Sequence, residues 1–127
     1  MKKSLRLTLK LILTAIIILG LDKYFFSSIP LFSRAIKNIQ NKPLELRWYS
    51  VVIAYIILIT GLFYFVIMPN KSVAEGAFFG AVMYGVFDFT NHAIFKKYNL
   101  SLAIIDMTWG TVLCAITTFI VKALLPN

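Results

Sequence analysis

The sequence predicts an all-α integral membrane protein: a bundle of four transmembrane helices, with a short amphipathic interfacial helix between helices one and two. Three observations predict it. Hydrophobic residues make up 60% of the 127-residue chain, mean hydropathy is +0.84, and only 14% is charged. A water-soluble domain of this size needs a larger charged surface. The apolar residues gather in four runs of about 20, the length that crosses a bilayer. None of the runs alternates with period two, so a β-barrel is not expected. A single domain over residues 1–127 is expected.

The first span is expected over residues 7–26. Its clean apolar core, Leu11 to Leu21, is short, and Lys10 extends it by reaching toward the headgroups. The basic start resembles a secretory leader. The DKYFFSSIP that follows has no small-x-small cleavage pattern, so an uncleaved span is expected. The second span, residues 48–68, carries no charge; Trp48 and Tyr49 suit a headgroup belt, and Pro69 and Asn70 stop it. Spans three and four are expected over 74–95 and 101–122. The connections between spans two and three and between three and four are tight, so those neighbours should lie antiparallel. The connection after span one is longer. Within it Phe32, Ile36 and Ile39 recur at helical spacing while Arg34, Lys37 and Asn38 fall on other faces, which predicts a surface helix over residues 29–41.

The net charge is +8, from 13 Lys and Arg against 5 Asp and Glu. Basic residues flanking spans face anionic headgroups, so the expected partner is the lipid bilayer and not nucleic acid. Four spans put both termini on one side with Lys2, Lys3, Arg6, Lys10, Lys71 and Lys122. The opposite side holds Lys23, Arg34, Lys37, Lys42, Arg47, Lys96 and Lys97, a near tie that leaves orientation open. The lone cysteine, Cys114, has no partner for a disulfide.

Three of the five acids lie inside spans: Asp22, Asp88 and Asp106. Counted from the shared membrane face, they sit about 6, 10 and 7–8 Å deep. An aspartate at such depth costs about 2–3 kcal/mol unless it faces the bundle interior, so the three should approach one another. Close carboxylates then need protons or a cation, and Lys23, Lys96 and Lys97 lie near that face. On span three, Gly76, Gly80, Tyr84, Asp88 and His92 recur every fourth residue, with Asn91 beside the acid. Asp106, Gly110, Cys114 and Thr118 form the matching stripe on span four, next to Trp109. Gly76 and Gly80 make a GxxxG that lets helices approach closely, and Tyr84, Asp88 and His92 are placed to hydrogen-bond in sequence. The threonines are expected to bond back to their own helices. A single histidine supports neither a zinc site nor a hydrolase triad.

At these residues the chain resembles a family of small predicted membrane proteins catalogued as domain of unknown function 2177. The marks are LDKYF closing span one, YGVFDFTN at Tyr84 to Asn91, and DMTWG at Asp106 to Gly110. The resemblance covers nearly the whole chain. It implies that Asp22, Tyr84, Asp88, Thr90, Asn91, Asp106, Trp109 and Gly110 belong to the family pattern. Phe25 or Phe26 stands where the pattern has Trp, and His92 where it has an apolar residue. The resemblance implies no activity.

Three functions fit these residues. The first is proton- or cation-linked transport through the acidic site, which in so small a chain wants a homodimer or a larger membrane complex. The second is a structural or assembly subunit, its acids bonded to Asn91, Tyr84 and Thr108. The third is an enzyme acting on a lipid headgroup, with Mg or Ca held by Asp22, Asp88 and Asp106.

Overall fold

The computed structural model describes residues 2–127, which form five helices and no strand. They are α1 (Lys3–Ser28), α2 (Leu31–Gln40), α3 (Trp48–Leu62), α4 (Val73–Ile94) and α5 (Leu100–Leu124). A π-helical turn, Phe63–Ile67, carries α3 onward. In it the Met68 amide reaches five residues back to the Phe63 carbonyl at 2.7 Å. Asn70, in the left-handed region at φ 61°, then turns the chain.

Among the described residues, three helices are long and apolar enough to cross a membrane: α1, α3 with its π-helical turn, and α5. Their outer faces are unsuited to water. Ile16, Ile53, Ile56, Phe65 and Phe119 are each more than half exposed, and so much contiguous apolar surface needs lipid or a protein partner. The 22-residue α4 is long enough but carries Glu75, Asp88 and several small or polar residues, which dilute its average hydropathy.

The closest pairing is between α4 and α5. In lipid, apolar helices gain little from hiding from their surroundings, so association depends on close packing and interhelical hydrogen bonds. Glycine supplies the packing here. A Cβ built on Gly80 would stand 2.2 Å from the Gly110 carbonyl oxygen, and one built on Gly110 would stand 2.0 Å from Tyr84 Cγ. Gly76 lies as close against Thr118. The two small-residue stripes therefore meet face to face. Thr108, Thr117 and Thr118 each donate to a carbonyl four residues back and spend their hydroxyls within α5. Ser72 starts α4 by accepting from the Glu75 amide while the Glu75 carboxylate accepts from the Ser72 amide, a reciprocal cap that satisfies two otherwise orphan donors.

Helix α1 packs on α5 and α3 through Lys10, Thr14, Ile18 and Asp22, one buried residue per turn. The expected snorkelling of Lys10 is not what forms. Its side chain is buried, and its ammonium donates to Asn127.

The helix in the first long connection, α2, is shorter than the sequence suggests. Ser28 ends α1 and Pro30 immediately precedes α2. Phe32, Ala35, Ile36 and Ile39 face inward, and Asn41 closes the helix in the left-handed conformation at φ 59°. Phe32 and Ile39 join the buried cluster of Ala35, Tyr98, Leu102 and Ala103. So α2 lies over the end of the helices where the acids sit.

Candidate functional site

Each of the three aspartates is nearly inaccessible: Asp22 is 3% exposed, Asp88 0% and Asp106 4%. They come from α1, α4 and α5, and each lies at the helix position that faces the neighbouring helices.

Asp22 is held from two sides. Its carboxylate accepts from the Tyr55 hydroxyl of α3 and, at 2.7 Å, from the Trp109 indole N–H of α5. The Trp109 ring is itself clamped by Phe25, stacked at a centroid distance of 4.5 Å and within 4° of parallel. One acid thus ties three helices, and the aromatic residue of LDKYF that matters is Phe25.

Asp88 takes its hydrogen bond from outside the helices. The Tyr98 hydroxyl, in the tight connection between α4 and α5, donates to Asp88 Oδ1 at 2.6 Å. Burial first, then the Asp88 hydrogen bond and charge, raises the Tyr98 pKa well above the ordinary tyrosine value. The phenol therefore stays protonated and remains a donor. Asn91 lies beside that hydroxyl. His92 Nδ1–H donates to the Tyr98 carbonyl at 2.7 Å and helps fix the connection.

The other oxygen of Asp88, Oδ2, is fully buried and receives no N–H or O–H from the described residues. Beside Asp88 lies a second acid: the Asp88 and Asp106 side chains are in hydrogen-bond contact. Two ionised carboxylates at that range repel, whereas one proton held between them turns repulsion into a bond. The titratable groups near Asp106 are Asp22 from α1, Tyr55 from α3, Tyr84 and Asp88 from α4, and Tyr98 from the connection. None is a cation.

Asp22 and Asp106 border a cleft of about 290 Å³ between α1, α3 and α4. Its remaining polar lining comes from Tyr55 and Tyr84. Its walls are apolar and rich in rings, with Phe26 and Phe87 from α1 and α4 and Phe32 from α2.

Several expectations from the sequence need correction. Tyr84, Asp88 and His92 do not bond in sequence, because Tyr98 enters between the last two. Thr90 is exposed, and Thr108 is exposed and bonded within α5, so neither reaches the acids. Lys23, Lys96 and Lys97 are exposed and leave the acids with neutral donors. Among the described residues no three of His, Cys, Asp and Glu come together as metal ligands. Asp22 is held by Tyr55 and Trp109, apart from the contact between Asp88 and Asp106. Gly76, Gly80 and Gly110 lie buried between α4 and α5, and Tyr84 packs against Gly110 with its ring edge on the cleft.

Tyr55 and Tyr98 are the two site residues that the sequence reading passes over. Tyr55 lies seven residues into α3 from Trp48, about 10 Å along the helix. That depth matches the acids, and it was the available signal.

A family model described as Predicted membrane protein (DUF2177) matches residues 7–123. No curated protein and no solved structure matches the chain.

Proposed function

The chain belongs to this family, and from that premise we propose that it is a multi-pass membrane protein whose Asp88–Asp106 pair binds and releases a proton during transport. The observation that carries this reading is the pair itself. Two carboxyls from different helices, 0% and 4% exposed, lie in hydrogen-bond contact with no cation beside them, and one of them borders a cleft. Acids kept inside a membrane-spanning structure are costly, and they commonly mark proton or ion pathways. A purely structural contact is served as well by an amide or hydroxyl, without the need to hold a proton.

The transporter reading includes four spans, with α4 as the third to cross. Its diluting residues face inward: Gly76, Gly80 and Asp88 are buried, while Phe78, Val82, Val86 and Ile94 point outward. An average over the helix underrates such a segment, because lipid meets only the outer face. We place α2 at the interface, with Phe32, Ala35, Ile36 and Ile39 inward and Arg34, Lys37 and Asn38 on the wet side.

A structural role is favoured at one position. Asp22 is satisfied by Tyr55 and Trp109 and joins α1, α3 and α5, so we assign it to holding the helices together and the other two acids to proton exchange. The two roles separate in an experiment. Liposomes containing the full chain are loaded with acid and a pH-sensitive dye, and proton efflux is followed with Na⁺, K⁺ or quaternary ammonium ions outside. The expected result is efflux driven by at least one of these cations, which falls to the rate of empty liposomes in Asp106→Asn. Efflux equal in Asp106→Asn and the native chain for every cation that drives it, or no efflux at all, removes the transport reading.

A further inference from the structure

The cleft has more chemistry than proton exchange alone requires. Asp106 is 4% exposed and borders the cleft, and the tyrosine and indole donors nearby are directed to Asp88 and Asp22 instead. The Tyr84 hydroxyl, also at the cleft, makes no side-chain hydrogen bond among the described residues. Around these groups stand five rings, those of Phe26, Phe32, Tyr55, Tyr84 and Phe87. Rings attract a cation to their electron-rich faces, and aromatic cages are a recurrent way of recognising quaternary ammonium groups. An anion gains nothing from two carboxyls, and a bare inorganic ion does not use the apolar walls. A neutral hydrocarbon leaves Asp106 and the Tyr84 hydroxyl unanswered. The volume, about 290 Å³, lies at the lower end of small-molecule sites.

We propose that the cleft binds a substituted ammonium ion with an apolar body, and that its positive charge replaces the proton shared by Asp88 and Asp106. This inference rests on the proton-linked reading and names its substrate class. The exchange balances: one cation enters, one proton leaves to water, and the charge of the site is unchanged. Because proton and cation compete, the complex forms more readily as pH rises, by up to about tenfold per pH unit while the free site holds its proton.

Benzyltrimethylammonium is a suitable probe, since it has a ring, a fixed charge and no proton of its own. Isothermal calorimetry on the full chain in detergent, in buffers of different ionisation enthalpy, measures binding and proton release together. The expected result is binding that strengthens with pH and releases a proton, with no comparable signal from benzyl alcohol or K⁺. Asp106→Asn should abolish it. Ala54→Phe should also abolish it by filling the cleft from an exposed lining position, with thermal stability and the Asp88–Asp106 pair intact. Absence of binding, or unchanged binding in Ala54→Phe, overturns the proposal. If the probe does not bind while Na⁺ or K⁺ drives Asp106-dependent proton efflux from liposomes, the substrate class is wrong and the transport reading survives. Binding without proton release overturns the exchange and counts against the transport reading too.

Discussion

Gly110→Val is expected to separate α4 from α5 and to lower stability by about 3 kcal/mol, the upper range for forcing extra carbon into a packed interior. The Cβ alone would meet Tyr84 Cγ at 2.0 Å, and the ring cannot retreat without leaving the cleft. Valine then adds two methyl groups beyond the Cβ. The loss is severe because these helices are joined mainly by contact: lipid competes on equal terms for apolar side chains, so separated helices have little driving force to return. Gly20→Val is the matched control, since a Cβ there meets nothing within 4 Å. Unfolding in graded denaturing detergent should show a clear loss for Gly110→Val and a change near zero for Gly20→Val.

The second large effect is expected at Asp88, and it depends on what replaces the carboxyl. Asp88→Leu leaves the Tyr98 hydroxyl without its acceptor and removes the partner of Asp106. With interhelical polar contacts in membranes worth about 1–2 kcal/mol each, the combined loss should be about 2 kcal/mol. It should be accompanied by loosening of the Tyr98 connection. Asp88→Asn is different. Its amide oxygen can accept from Tyr98 and its N–H₂ can donate to Asp106, so stability should stay near that of the native chain while the shared proton disappears. Stability equal in the leucine and asparagine variants would contradict this account of the site.

Some of this was legible in the sequence for a plain reason. Long apolar helices, and an acid in each of α1, α4 and α5, leave few arrangements that keep carboxyls away from an apolar surrounding. Counting residues from the shared face placed Asp22, Asp88 and Asp106 at similar depth, and the glycine stripes on α4 and α5 indicated the pairing. The donors were harder to see. Tyr55 lies in α3, which carries no acid, and Tyr98 in a short connection, where tyrosine reads as an ordinary interfacial ring. Nothing in a one-dimensional pattern says which hydroxyl reaches which carboxyl. Thr90 shares a motif with Asp88 but is exposed and does not share its site. Two residues along a helix is about 200° around it, so the neighbour in sequence faces away. The basic residues misled in the opposite sense. Lys23, Lys96 and Lys97 are near the acids in sequence, but a long cationic side chain at a helix end is better solvated outside than buried beside a carboxyl.

Infrared spectroscopy of the reconstituted chain at neutral pH tests the central claim most directly, because a protonated carboxyl absorbs apart from ionised carboxylates and amides. A protonated-carboxyl band is expected in the native protein, persisting in Asp22→Asn and lost in both Asp88→Asn and Asp106→Asn. A native spectrum with ionised carboxylates alone, or a band that survives either of those two substitutions unchanged, would contradict it.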